Sequence, residues 1–299
     1  MTQVKSEITI AVVGDIHDLW EAEDHKALQH LGIDLVLFVG DFGNESLAVV
    51  SQIAALTLPK AAIMGNHDAW FTASSWGREK APYDHDQEDR VQQQLDLLGT
   101  AHVGYDSLDF PQFALSVVGS RPFSWGGSSW RNGKFYRDRY GIKGFEQSTQ
   151  QIVEAAQNTA HDQLIFIGHN GPYGLGNQTE SICGRDWKVE GGDYGDPDLT
   201  AAIAQVQDLG KSIPLVTFGH MHHQLKQPRG KRRQIIAVQE QTVYLNAACV
   251  PRIKNGTKGK QRSFSLVKLS QGLVAAVSLV WLDSDFAICS DEVLYQAAS

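Results

Sequence analysis

One pattern recurs five times in this chain: a short apolar run, then glycine, then a residue whose side chain can bind a metal ion. The runs 8–13, 35–39 and 61–64 lead into Gly14-Asp15, Gly40-Asp41 and Gly65-Asn66, and the runs 164–167 and 215–218 lead into Gly168-His169 and Gly219-His220. Short continuous apolar runs with β-branched residues suit strands buried on both faces. A glycine at the strand end lets the backbone turn sharply or pass close to a ligand. Polar groups gathered at the carboxyl ends of several strands are where α/β proteins build their sites.

Between these runs the spacing of apolar residues predicts helices over 21–31, 45–56, 86–98, 146–160 and 197–209, the last with Asp196 as N-cap and Pro197 at the first helical position. Alternating strands and helices imply an α/β layered fold. After His223 the helical pattern stops, and 233–239, 242–247, 263–269 and 273–282 read as strands, expected to form much of a second sheet. No linker rich in Pro, Gly or Ser divides the chain, so residues 1–299 are expected to form a single domain. Two segments, 70–86 and 171–196, are too long to be mere connections and are expected to lie over the site. A third, 120–140, holds Trp125, Trp130 and five arginine or lysine residues.

Composition excludes some classes. With 42% hydrophobic and 20% charged residues the chain can bury a real core. A net charge of −8 argues against a dedicated nucleic-acid surface, although 226–233 and 252–262 are locally basic. Three widely spaced cysteines imply neither a disulfide framework nor a zinc ribbon. No apolar stretch approaches the roughly 18–20 residues that span a bilayer. These features lead to the expectation of a cytoplasmic protein with no membrane partner.

The five strand ends supply Asp15 and His17 (GDIH), Asp41 (GDFG), Asn66, His67 and Asp68 (GNHD), His169 (GHNG), and His220 and His222 (GHMH). Carboxylates, imidazoles and one amide oxygen make a ligand set suited to Mn²⁺, Fe or Zn²⁺ rather than to Ca²⁺, which takes oxygen only. Seven such ligands suffice for two metal ions. Side chains at i and i+2 in extended backbone point the same way, so Asp15/His17 and His220/His222 are each expected to reach one pocket.

In this order the motifs resemble those of the calcineurin-like metallophosphoesterase superfamily, in its compact branch, and match every one of its motifs from Asp15 to His222. The resemblance implies a four-layer α/β/β/α sandwich of two mixed sheets with a dimetal site at the strand ends. It implies that Asp15, His17 and His222 bind one metal ion, Asn66, His169 and His220 the other, and that Asp41 bridges both, with Mn²⁺ the first choice of metal. His67 then protonates the leaving alkoxide, and Asp68 orients His67. The reaction implied is hydrolysis of a phosphoester by a hydroxide bridging the two ions. Arg121, Arg131 and Arg185 are candidates to grip the substrate, because the planar guanidinium suits phosphate. The expected substrate is a small-molecule phosphomonoester or phosphodiester; the alternative is a nuclease or RNA-processing phosphodiesterase that uses the basic C-terminal segments.

Overall fold

The computed structural model of the chain describes residues 4–188, 190–257 and 259–298. In chain order the first half contains β1 (Glu7–Val13), α1 (Ala22–His30), β2 (Leu35–Phe38), α2 (Leu47–Ala54), β3 (Lys60–Ala62), α3 (Ser75–Glu79), α4 (Arg90–Leu98), β4 (Ser107–Phe110), β5 (Leu115–Gly119) and α5 (Gly133–Tyr140). The second half continues with α6 (Phe145–Gln157), β6 (Gln163–Ile167), α7 (Pro197–Asp208), β7 (Ser212–Phe218), β8 (Ile236–Gln239), β9 (Thr242–Asn246), β10 (Ile253–Gly256), β11 (Gly259–Ser270), β12 (Leu273–Leu282) and β13 (Ile288–Gln296).

Two sheets result. One has the order β13-β12-β11-β1-β2-β3, with β10 paired to β11; the other has the order β4-β5-β6-β7-β9-β8. Both are mixed. In the first, β1, β2 and β3 run parallel while β11 is antiparallel to β1, and in the second, β5, β6, β7 and β9 are parallel while β4 and β8 are antiparallel edges.

The alternation of side chains along each strand sorts them into layers. Ile8, Ile10 and Val12 of β1, Leu35 and Leu37 of β2, Ile165 and Ile167 of β6 and Leu215 of β7 meet in one core between the two sheets. Ala11, Val13, Val36 and Phe38 point the other way, onto a second core shared with Ala27 and Leu28 of α1, Val50 and Ile53 of α2 and Val91 of α4. Leu164, Phe166 and Val216 face a third core with Ile152 of α6 and Leu199 and Ile203 of α7. The chain is therefore the expected α/β/β/α sandwich, and strands buried on both faces explain the unbroken apolar runs.

Three readings need correction. The C-terminal strands do not assemble mainly into the second sheet: only β8 and β9 join it, while β10 to β13 extend the first sheet by antiparallel pairing of β11 with β1. Segment 70–86, expected as a long connection over the site, is not a plain loop, since it carries α3. The helix expected over 86–98 begins at Arg90, where Asp89 caps it by accepting from Gln92 N.

Candidate dimetal site

Asp15 follows β1, Asp41 follows β2, Asn66 follows β3, His169 follows β6 and His220 follows β7, so the carboxyl ends of five strands from both sheets converge. The local backbone is not the extended conformation expected from sequence. Asp15, His17, Asp41 and His220 adopt positive φ of 50°, 45°, 56° and 66°. Left-handed non-glycine residues are costly and persist where surrounding structure enforces them. The glycines allow that crowding: a Cβ on Gly65 would lie 2.3 Å from Asp41 Oδ1, and one on Gly219 would lie 2.3 Å from Asp15 Oδ2.

Three clusters of metal-competent atoms form, each within 4.8 Å: Asp15, His17 and His222; Asp41, His169 and His220; and His17, Asp41 and His67. In the first, His17 Nε2 and His222 Nε2 face one another at 3.3 Å. Asp15 Oδ2 accepts from His220 N at 2.9 Å, but buried Oδ1 has no hydrogen-bond donor, with His222 Nε2 3.3 Å away. In the second, His169 Nδ1 donates to the Val39 carbonyl at 2.8 Å. A carbonyl only accepts, so Nδ1 carries a proton and Nε2 is the atom left to meet a metal ion, 2.9 Å from Asn66 Oδ1 and 3.3 Å from Asp41 Oδ1. Ring nitrogens and carboxylate oxygens converge here, and buried Asp15 Oδ1 has no donor to satisfy it, an arrangement that a cation completes. The residues fit two metal ions.

The electrostatics agree. Burial pushes Asp41 well above the usual carboxylate range, and the charge of Asp15 pushes it further. Burial works in the same direction on Asp15, but His222, His169 and His17 outweigh it and hold that carboxyl below its ordinary value. Burial drives His220 well below the ordinary imidazole range, keeping it neutral as a ligand requires.

His67 stands 28% exposed at the mouth of the site, with Nε2 3.9 Å from Asp41 Oδ2. Burial, then the neighbouring His17 and His169, lower it to about 3. Its Nδ1 lies 2.6 Å from Asn44 Oδ1, so the amide of Asn44 fixes the ring's direction. Sequence reasoning missed Asn44, although its position three residues after Asp41 in the same loop was a signal.

The expectation that Asp68 orients His67 is incorrect. The Asp68 carboxylate is fully buried and accepts backbone N–H groups of Asp41 at 3.0 Å, Phe42 at 2.9 Å and Gly65 at 2.7 Å. It ties the Asp41 loop to the Asn66 loop and never faces the imidazole. Asp68→Ala is expected to cost about 3 kcal/mol or more, because three buried N–H groups lose their acceptor. Urea unfolding of the metal-free protein reads this directly; an unchanged midpoint would mean those groups find other partners.

Of the candidate arginines, Arg121 is withdrawn from substrate contact. It is 2% exposed and its guanidinium is engaged by Asp196 at 2.7 Å and Asp198 at 2.8 Å. Arg185 Nε donates to Gly191 O at 2.8 Å within the 171–196 segment. Arg131 is exposed, 5.7 Å above the Tyr194 ring. The 171–196 segment is closed at its neck by pairing of Pro172 with Asp196. Arg233 fastens it to the site by donating to Thr179 O, Ser181 O, Gly184 O and His222 O.

A model of the calcineurin-like phosphoesterase family matches residues 8–224, the stretch that holds all five strand ends. The chain belongs to this family. It is a metal-dependent hydrolase of phosphoester bonds. No curated protein sequence matches it. Among solved structures, one aligns with 91% of this chain and 98% of its own at TM-score 0.55 and 10% identity. The structure of TT1561 of Thermus thermophilus aligns with 88% of this chain and 99% of that one at TM-score 0.50 and 11% identity. At such identities the likeness is one of fold. A dimetal phosphatase from Danio rerio, at TM-score 0.48, 11% identity and coverage of 97% and 99%, is too loosely alike to add to the argument. Among the described residues, no helix of this phosphoesterase is long and apolar enough to cross a membrane.

Proposed function

We propose that the chain acts as one metallophosphoesterase unit that hydrolyses a small-molecule phosphomonoester or phosphodiester with two transition-metal ions. Asp15, His17 and His222 would hold one ion, Asn66, His169 and His220 the other, and Asp41 would be shared between them. The observation that carries this reading is the pair of ligand clusters flanking Asp41, whose Oδ1 faces His169 and whose Oδ2 lies 3.9 Å from His17, with buried Asp15 Oδ1 left without a hydrogen-bond donor. The mixed oxygen and nitrogen donors favour Mn²⁺, Fe or Zn²⁺, with Mn²⁺ the first to try. When bound, such ions supply Lewis-acid activation of water and neutralise charge on the phosphoryl oxygens. The protein's own contribution is to hold His67 at the mouth, with Asn44 setting its direction. Its ring, lowered to about 3 in the free protein, would take up a proton on Nε2 once a bound anionic phosphoester raises it, and pass that proton to the leaving oxygen.

The nuclease alternative loses its support at the basic segments. Lys231 is paired with Glu180, Arg232 with Glu292, Lys260 with Glu21 and Arg252 with Asp24. Arg233 and Arg262 are buried, and Lys254 lies over the Trp281 ring. Such charges are already met within the fold, whereas a phosphate backbone needs a run of available cations.

The reading is tested by stripping metal, adding back Mn²⁺ and comparing p-nitrophenyl phosphate with bis-p-nitrophenyl phosphate. Activity restored by metal on either ester is expected. Faster turnover of the diester points to an open site, whereas faster turnover of the monoester points to extra cationic grip, with Arg131 the first residue to examine. Metal content below two ions per chain after reconstitution would overturn the dinuclear reading.

A further inference from the structure

Asn44 fixes where the His67 ring points, but one hydrogen bond leaves the ring free to rotate about the line of that bond. A second element removes this freedom. Residues His67–Ala69 form a 3₁₀ turn, and in such a turn side chains three positions apart lie over one another. Trp70 is three positions from His67 and donates its backbone N–H to His67 O at 3.1 Å. Its indole lies flat on the imidazole, with ring centroids 4.5 Å apart and planes inclined by 16°.

The indole is itself held. Trp125 also stacks on it, with ring centroids 5.4 Å apart and planes inclined by 25°. Trp76 abuts it edge-on at 6.0 Å and 85°. Tight backbone packing fixes this neighbourhood, because a Cβ on Gly77 would lie 2.2 Å from Trp70 O. On the imidazole's own side, His17 meets it edge-on at 4.8 Å and 82°. With His67, Trp125 and Trp76 all packed against it, the half-buried indole is braced by its neighbours, and its stack constrains the His67 side chain.

We infer that Trp70 is a positioning residue that sets the plane of the His67 imidazole, with Trp125 as its backstop, so that Nε2 is held toward the leaving oxygen. The inference rests on the reading of His67 as the proton donor. Proton transfer requires the donor within hydrogen-bond reach and aligned, and a misplacement of about 1 Å can cost on the order of a hundredfold in rate. Among residues near the site, Trp70 touches the ring face and Asn44 its Nδ1, so together they fix both plane and direction.

The test compares His67→Ala, Trp70→Leu, Trp70→Phe and Trp125→Leu, each reconstituted with Mn²⁺, on phenyl and p-nitrophenyl esters of the form the protein turns over. Trp70→Leu is expected to lower kcat about tenfold or more on the phenyl ester, whose leaving group needs the proton, and much less on the p-nitrophenyl ester, with KM and metal content unchanged. Trp70→Phe, which keeps an aromatic face, recovers most of the loss, and Trp125→Leu shows the same leaving-group dependence in milder form. A second readout needs no metal. The His67 Cε1–H resonance, assigned by its disappearance in His67→Ala, lies upfield in the ring current of the indole and moves downfield in Trp70→Leu. If His67→Ala shows leaving-group dependence while the Trp70 and Trp125 variants show none, Trp70 has no positioning role and the reading of His67 stands. Equal losses on both esters in His67→Ala itself would overturn both. A raised KM with unchanged kcat in Trp70→Leu would make Trp70 a substrate contact and overturn the inference.

Discussion

Replacing Asp41 by asparagine is expected to lower kcat/KM by about a hundred- to a thousandfold, the size of effect seen when a group that stabilises transition-state charge is removed. The substitution keeps shape and volume. One amide oxygen can still accept from His67 N, as Asp41 Oδ1 does at 2.8 Å, so the GNHD turn retains its anchor. What is lost is the negative charge and the second oxygen that could serve another ion. Metal content after reconstitution should therefore fall below two ions per chain. Folding should not suffer, because in the metal-free protein burial and the charge of Asp15 already work against a charged Asp41. The metal-free variant is expected to melt no lower than the parent. Near-normal activity with two ions bound would overturn the sharing of Asp41.

The convergence of ligands was legible because each ligand follows its own local signal, an apolar run and a glycine, and the α/β plan follows from that repetition. The partition of the C-terminal strands between sheets was not legible. Alternation marks a strand but not its neighbour, and β11 finds β1 across most of the chain's length through the register of Glu7 with Ser270. The partners of His67 were misread for a related reason. The resemblance pointed to Asp68 as the group that orients His67, but in a 3₁₀ turn the side chain three positions on is the one that overlies the ring. Asp68 therefore turns to backbone N–H groups while Trp70 covers the ring. The role of Arg121 was hidden because the carboxylates that engage it stand at the start of α7, 75 and 77 residues later.

Arg121→Ala is expected to destabilise the protein by about 3–5 kcal/mol, the cost of removing one partner from a buried ion pair and leaving the other uncompensated. Arg121 follows β5, and Asp196 and Asp198 sit at the N-terminus of α7, so the cluster clamps the second sheet to its outer helix. Ser124 Oγ donates to Asp196 Oδ1 at 2.8 Å, and Ser148 Oγ donates to Asp198, extending the clamp to the 120–127 segment and to α6. The loss has a defined pH dependence. Burial raises the Asp196 carboxyl to about 6 even with Arg121 beside it, and without the guanidinium it rises further. A carboxyl whose folded value lies above its unfolded value adds stability that is fully present below the unfolded value, near 3.8, and is lost as pH rises through the folded value. The deficit of Arg121→Ala relative to the parent should therefore be smallest near pH 5 and grow through pH 6 toward pH 8. Urea unfolding at these pH values measures it. A deficit independent of pH would mean that the variant repacks and hydrates the two carboxylates, and that Arg121 acts through packing rather than charge.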